Sequence, residues 1–91
     1  MIRREITISN KLGLHARAAA KLTQTAGRYP CRVSIERGAR KVNAKSIMGV
    51  MLLAAGQGSR VRLRLEGPDE AEAMRAAEAL FERGFDELES A

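Results

Sequence analysis

The sequence predicts an α+β fold in which three helices cover one face of a four-stranded antiparallel sheet, with the element order β-α-β-β-α-β-α. Four short stretches alternate apolar and polar residues, which is the pattern of strands with one buried face. Three other stretches carry apolar residues at helical spacing and are bounded by residues that start or stop helices. We expect residues 1–91 to form one small domain with one modest core.

The predicted strands are short, and each has one apolar face. Residues 4–9 (REITIS) and 31–36 (CRVSIE) are the first two, a Gly-containing turn leads into a third near residues 41–44, and residues 60–66 (RVRLRLE) form the fourth. The residues expected to face the core in the second and fourth strands are Cys31, Val33, Ile35, Val61, Leu63 and Leu65. The residues expected to face away from it in the fourth are Arg60, Arg62 and Arg64.

The first two predicted helices follow the first and the third strand. The first helix spans about residues 16–26 and stops at Gly27, which we expect in a left-handed conformation after the last turn. The residues expected on its apolar face are Ala19, Leu22 and Ala26. The second helix begins after Ser46, a residue type that caps helix N-termini well, and stops at Gly56.

The third predicted helix has recognisable signals at both ends. It begins at Asp69, which has the spacing of a capping box with Glu72, and it ends at Gly84. Phe85 follows that glycine, and we expect its ring to pack back on Leu80, as apolar residues do after a helix that ends in a Schellman motif.

The charge of the chain is distributed unevenly. Residues 1–65 contain 14 Lys or Arg and 2 acidic residues, and residues 66–91 contain 2 and 9, so charges of +12 and −7 give the net charge of +5. A basic surface accelerates association with an acidic partner. A nucleic acid is an alternative partner, because three arginines line one sheet face. We expect no nucleic acid, since the sheet lacks the paired aromatic residues of RNA-recognition surfaces.

Cysteine usage and hydropathy indicate the compartment. Cys31 is the single cysteine, so an internal disulfide is impossible, and we expect this side chain to face the core. The sequence shows neither a signal peptide nor a long apolar run, so we expect a cytoplasmic protein without membrane insertion. We expect no metal and no other cofactor, because one Cys and one His form no metal-ligand cluster.

The single histidine, His15, lies just before the first predicted helix. Because a set of catalytic partners is not visible, we do not expect hydrolysis. A neutral imidazole can attack a phosphoryl group by itself and form a phosphoramidate. The free N–H groups at the helix start and the guanidinium of Arg17 would then compensate the phosphoryl charge. The alternative is that His15 is only a cap residue and Arg17 only a solvated side chain.

Ser46 and the residues after it allow two interpretations each. The role of helix cap is sufficient to explain Ser46, but a phosphate added there would also place negative charge on a surface that attracts acidic partners. Residues 47–52 (IMGVML) form a helix that is apolar nearly all round. Part of this helix either stays exposed as a docking patch, for which Met-rich surfaces are suited, or is buried under the sheet.

Two motifs together carry a family resemblance. The segments GLHAR (residues 13–17) and KSIMGVM (residues 45–51) resemble those of HPr, the histidine-containing phosphocarrier family of the bacterial phosphoenolpyruvate-dependent phosphotransferase system. The resemblance covers nearly the whole chain and implies the family's open-faced β-sandwich. It implies that His15 accepts a phosphoryl group on Nδ1 from phosphorylated Enzyme I. The group would then pass to the A component of a sugar permease or to a regulatory homologue.

The resemblance also assigns roles to two other residues and has one departure. It implies that Arg17 contacts the phosphoryl group and that, in some bacteria, an HPr kinase/phosphorylase modifies Ser46. The family usually has proline at the position of Ala18. Proline fixes φ at the helix start, so we expect alanine to cost under about 1 kcal/mol of preorganisation and transfer to survive.

Two functions are consistent with the sequence. The first is a phosphoryl carrier, which is a substrate and product of its partners rather than an enzyme with turnover of its own. The second is a regulatory binding protein of the nitrogen-related branch, which residues 8–17 and 79–87 resemble, whereas residues 45–55 are similar to carriers with a regulatory serine. In the second case phosphorylation at His15 or Ser46 selects partners, and blocking His15 leaves the important complexes intact.

Overall fold

The computed structural model describes residues 1–87, which form four strands and three α-helices followed by one 3₁₀ turn. The strands are β1 (Ile2–Thr7), β2 (Arg32–Arg37), β3 (Arg40–Asn43) and β4 (Arg60–Glu66). The helices are α1 (Ala16–Gly27), α2 (Ile47–Leu52) and α3 (Glu70–Glu82), and the 3₁₀ turn is Gly84–Asp86. The predicted element order is confirmed.

The strands form one antiparallel sheet in the order β1-β4-β2-β3. Strand β4 is interior, with Leu63 opposite Arg4 of β1 on one side and Ile35 of β2 on the other. Side chains alternate along each strand, so the arginines of β4 lie on the face that points away from the core. The expected four-stranded antiparallel sheet is therefore confirmed.

The three helices cover one face of this sheet and enclose an aliphatic core. All the strand residues expected to face the core are buried: Cys31, Val33, Ile35, Val61, Leu63 and Leu65. The buried residues of α1 are Ala18, Ala19, Leu22 and Ala26. The structure is thus an α+β open-faced β-sandwich, as expected. In residues 1–87, the helices are all too short or too polar to cross a bilayer.

The ends of α1 and α2 differ from the sequence prediction. Gly27 is the last residue of α1 and does not adopt a left-handed conformation. The next residue, Arg28, continues in right-handed geometry with φ −75° and donates its N–H to Thr25 O. Helix α2 ends at Leu52, well before Gly56. The backbone leaves helical geometry at Ala54, whose φ of 50° is left-handed. Guanidinium groups from the β2–β3 hairpin satisfy the last carbonyls: Arg40 donates to Leu52 O, and Arg37 donates to the carbonyls of residues 53 and 54.

The start of α3 also corrects the prediction, whereas its end agrees with it, because the left-handed Gly84 follows the C-cap Arg83. Asp69 occupies the N-cap position, but its backbone is left-handed (φ 62°) and its side chain caps no N–H, so the expected capping box with Glu72 does not form. Instead the carboxylate of Glu70 accepts from the Gly67 N–H at 3.0 Å. After Gly84 the chain turns, and Phe85 is buried as expected. The ring that meets it edge-on is Phe81, with centroids 4.9 Å apart.

Candidate functional site

The loop that carries His15 is fixed by hydrogen bonds at both ends. Where β1 ends, the N–H of Ile8 donates to Ser59 O at 2.9 Å, and Ile8 O accepts from Gly58 at 2.8 Å. Further along, Leu14 donates its N–H to Ala55 O at 2.9 Å. Leu14 is itself buried and joins the core. These contacts place the start of α1 beside the segment that follows α2.

Gly13 allows this loop to approach its neighbour closely. Its φ is +66°, a region that L side chains rarely adopt, and a Cβ at this position would lie 2.4 Å from Ala55 O. The same Cβ would lie 2.7 Å from the Cα of Gly56. Any side chain here would therefore push the loop, and His15 with it, away from its position.

His15 is the N-cap residue of α1, and its ring is partly exposed. Its Nδ1 accepts a hydrogen bond from the N–H of Arg17 at 3.3 Å, and its backbone carbonyl accepts from Ala19 at 2.8 Å. The imidazole is 27% exposed, which leaves the ring accessible to a partner. Because Nδ1 accepts this hydrogen bond rather than donating one, its lone pair lies at the positive end of the helix.

The surroundings of Nδ1 suit an anion. The first turn of α1 contains no acidic residue. The first N–H groups of an α-helix lack partners within the helix, so they can donate to a group bound at Nδ1. Arg17 lies on this first turn with an exposed side chain. The structure thus brings the two residues singled out by the sequence into one site.

The sequence did not reveal two further residues of this site. Glu87 contacts the other ring nitrogen of His15, Nε2, through Oε2. The side-chain amide of Asn10 donates to Gly13 O at 2.8 Å and to the same Glu87 oxygen at 3.2 Å. Glu87 is 72 residues from His15 in the chain, so no local pattern could indicate this contact.

The charge state of Glu87 follows from its contacts. Burial raises the pKa of this carboxyl, but hydrogen bonds from His15, Asn10 and the backbone of Leu12, together with the charge of His15, outweigh burial. The pKa of Glu87 therefore lies below its ordinary value of 4.5. The carboxylate is ionised at neutral pH and acts purely as a hydrogen-bond acceptor.

Ser46 caps α2, as the sequence predicted. Its Oγ accepts from the Gly49 N–H at 3.1 Å, and its carbonyl accepts from Val50 at 3.0 Å. Helix α1 packs against α2, and the Leu14–Ala55 hydrogen bond joins the His15 loop to the segment beyond α2. Ser46 thus lies at the end of α2 opposite to the segment that the His15 loop contacts, and no hydrogen bond joins Ser46 to His15 within residues 1–87.

The apolar residues of α2 are mostly exposed rather than buried under the sheet. The buried ones are Val50 within the helix and Leu53 just after it. Met48 is 71% exposed, and Leu52 is 61% exposed. The docking patch consists of these two residues with Ile47 and Met51. Of the two interpretations of this helix, exposure rather than burial under the sheet agrees with the structure.

The fold and the site define a class of protein: a small α+β carrier that presents one imidazole at a helix start beside an exposed apolar helix. The family model described as "PTS HPr component phosphorylation site" matches residues 2–83. "Phosphocarrier protein HPr" of Cupriavidus necator is 60% identical over 89 residues, which cover 98% of this chain and all of that protein. The protein of the same name from Pseudomonas aeruginosa is 56% identical over 86 residues, 93% of this chain and 96% of that protein.

Solved structures agree with these relatives. The crystal structure of HPr-C-His from Thermoanaerobacter tengcongensis has a TM-score of 0.91 and 48% identity, over 94% of this chain and 97% of that one. The phosphocarrier protein HPr from Bacillus anthracis has a TM-score of 0.84 and 42% identity, over 88% and 95%. The chain belongs to the HPr family of phosphotransferase-system phosphocarriers. The comparisons do not favour the nitrogen-related alternative.

Proposed function

We propose that this phosphocarrier accepts a phosphoryl group on Nδ1 of His15 from phosphorylated Enzyme I. It then passes the group to the A component of a sugar permease or to a regulatory homologue. Membership of the family implies partners in the phosphotransferase system, and the individual acceptor is part of the proposal. The observation that carries it is the orientation of His15, whose Nδ1 lone pair faces the start of α1.

The transfer needs a nucleophile and a place for the phosphoryl charge. Nδ1 attacks the phosphorus while the bond between phosphorus and the donor breaks, so the imidazole gains the phosphoryl group that the donor loses. The N–H of Arg17, which now donates to Nδ1 at 3.3 Å, is close enough to turn to a phosphoryl oxygen. The guanidinium of Arg17 supplies a second, permanently charged donor from the same turn.

The same geometry supports the expectation that transfer survives alanine at position 18. Ala18 is fully buried and lies in the first turn of α1, which forms without proline. The N–H groups of the turn are thus in place for an anion although φ is not covalently fixed. We expect the cost of alanine to stay below about 1 kcal/mol, because alanine is the best helix former.

We propose that the docking patch receives partner proteins. It exposes two methionines, whose flexible side chains adapt to different surfaces. The Leu14–Ala55 hydrogen bond holds the His15 loop beside the segment that follows this helix. Lys45 precedes Ser46 in the chain, is partly exposed and donates to Tyr29 O at 2.7 Å, and it would offer an acidic partner a positive group in addition to the apolar ones. Association with such a partner is expected to weaken as salt increases.

Ser46 is proposed as a regulatory phosphorylation site for an HPr kinase/phosphorylase. A phosphate there would sit at the N-terminus of α2, where the helix tolerates negative charge. It would also place that charge at the edge of the docking patch and oppose an acidic partner. Such a modification would change binding while leaving the fold intact.

The remaining expectations concern the domain organisation of the protein and its cellular compartment. We propose that residues 1–91 act as one domain, since the described helices and strands share a single buried core. A cytoplasmic location is proposed as well, and the free buried thiol of Cys31 supports it, because unpaired cysteines are usual in reducing compartments.

The direct test is phosphoryl transfer from labelled phosphoenolpyruvate through Enzyme I. We expect label on the wild-type protein, loss of the label in His15→Ala, and phosphate that is labile in acid but stable in base. An Arg17→Ala variant should be labelled more slowly than wild type. It should nevertheless take up label, unlike His15→Ala. A wild-type protein that takes no label from an active Enzyme I would refute the carrier function and leave a binding regulator.

A further inference from the structure

The two ring nitrogens of His15 have different partners. Nδ1 faces the N–H of Arg17, and Nε2 faces the carboxylate of Glu87. A backbone N–H can only donate and an ionised carboxylate can only accept. The neutral ring must therefore carry its proton on Nε2, which leaves the lone pair on Nδ1.

Glu87 is held in place rather than loosely associated. Its side chain is 11% exposed, and the amide of Asn10 and the backbone N–H of Leu12 donate to it in addition to His15. Asn10 is 2% exposed and also holds Gly13 O at 2.8 Å. One buried amide thus fixes the carboxylate and the loop of His15 relative to each other.

The segment before Glu87 is tied to α1 independently. Lys21 of α1 donates to Phe85 O at 2.9 Å and contacts the Asp86 carboxylate at 3.4 Å. Phe85 is buried against Phe81 of α3. Glu87 therefore reaches the start of α1 because residues 85 and 86 are anchored to the same helix and to the core.

We propose that Glu87 is a positioning residue for phosphoryl transfer, which holds the Nε2–H tautomer of His15 and stabilises the charge that develops on its ring. The proposal rests on the proposed role of His15 as the phosphoryl acceptor. Glu87 does not touch the phosphoryl group, since Nε2 and Nδ1 lie on opposite sides of the imidazole. Its action passes through the ring.

The electron balance of the step gives the carboxylate its role. The Nδ1 lone pair forms the bond to phosphorus, and the electron pair of the broken bond returns to the donor. The Nε2 proton stays on the ring, so the ring becomes cationic while the phosphoryl group remains anionic. The Glu87 carboxylate faces that positive charge, as a carboxylate stabilises an imidazolium in serine hydrolases. In onward transfer the pair returns to Nδ1, and no proton has to move.

The experiment combines a tautomer measurement with transfer kinetics. The ¹⁵N chemical shifts of His15 are measured above about pH 8, where an imidazole is neutral, together with the rate of labelling by Enzyme I. We expect Glu87→Ala to give a mixture of tautomers and labelling about tenfold slower, which is typical for the loss of a charge-assisted hydrogen bond. A folding check by backbone amide spectra accompanies each variant.

Two further variants separate the two roles of Glu87. Glu87→Gln keeps an oxygen that can accept from Nε2–H, so the tautomer should be retained while labelling is still slowed by the loss of charge. Glu82→Gln removes one exposed acidic group of α3 and should match wild type in both readouts. An unchanged tautomer and rate in a folded Glu87→Ala would overturn the proposal and leave the carrier function standing. If wild type itself takes no label, the tautomer comparison still decides the positioning role.

Discussion

Gly13 shows how one residue positions the candidate site. Two features of this position favour glycine. Its backbone is left-handed, with φ +66°, and a Cβ would lie 2.4 Å from the carbonyl oxygen of Ala55. Gly38 has a similar φ of +59° but no atom within 4 Å of such a Cβ. The two glycines therefore separate the cost of the conformation from the cost of the close approach.

We expect Gly13→Ala to destabilise the protein by about 2 kcal/mol or more, because strain and overpacking add. Gly38→Ala should cost about 1 kcal/mol, the value for conformation alone. Urea unfolding measures both. Gly13→Ala should also slow labelling of His15, since the loop must move, whereas Gly38→Ala should not. Equal stability losses in the two variants would show that the contact with Ala55 is unimportant.

At the scale of the element, α2 is a short helix whose ends are both held by side chains. Ser46 accepts from Gly49 at its start, and the guanidinium of Arg40 donates to Leu52 O at 2.6 Å at its end. Six residues are too few for a helix to persist in water without such support. These hydrogen bonds at its two ends stabilise α2 while most of its apolar side chains face solvent.

Substitutions at Ser46 should separate capping from charge. Ser46→Ala should lower the free energy of unfolding by about 1 kcal/mol, because the Gly49 N–H loses its acceptor. Ser46→Asp should keep the cap and stay near wild-type stability, yet slow transfer from Enzyme I. Thr7→Asp, which adds the same charge on the exposed outer sheet face, is the control and should transfer normally. Equal rates for Ser46→Asp and wild type would remove the argument for regulation at this position.

At the scale of the molecule, the acidic C-terminal part is paired with basic groups of the rest of the chain. The N-terminal amine contacts Glu70 at 2.9 Å, and Arg4 lies 3.9 Å from Glu78. Lys21 reaches Asp86, and His15 contacts Glu87. On the outer sheet face, Arg62 lies between two glutamates of neighbouring strands. The acidic residues of the C-terminal part and the basic residues of the N-terminal part thus form contacts that hold α3 and residues 84–87 against the rest of the domain.

These contacts predict a loss of stability in acid. A hydrogen bond from the N-terminal amine lowers the pKa of Glu70, one from Arg83 lowers that of Asp86, and the pKa of Glu87 is lowered as described above. Groups with a lowered pKa bind protons more readily in the unfolded chain. Their stabilisation is present above the ordinary values of 4.5 and 3.8 and is lost as pH falls through the folded values.

The measurement is the urea midpoint between pH 7 and pH 3. We expect it to fall below about pH 4.5, and to fall less in the variant with Glu70→Gln, Asp86→Asn and Glu87→Gln, which should begin from a lower midpoint at pH 7. Glu72→Gln, on the exposed side of the first turn of α3, should keep the wild-type slope. A combined variant as sensitive to acid as wild type would contradict the assignment of these three carboxylates.

Local pattern determined much of this protein. The alternation in β2 and β4, the helical spacing of α1 and the cap at Ser46 are properties of a few adjacent residues, so they were predicted correctly, as were the positions of His15 and Arg17. The tertiary structure decided the rest, because it depends on groups distant in the chain. The chain leaves α2 at a left-handed Ala54 with Arg37 and Arg40 on the last carbonyls, packing leaves Met48 and Leu52 in solvent, and a carboxylate 72 residues away contacts the ring of His15.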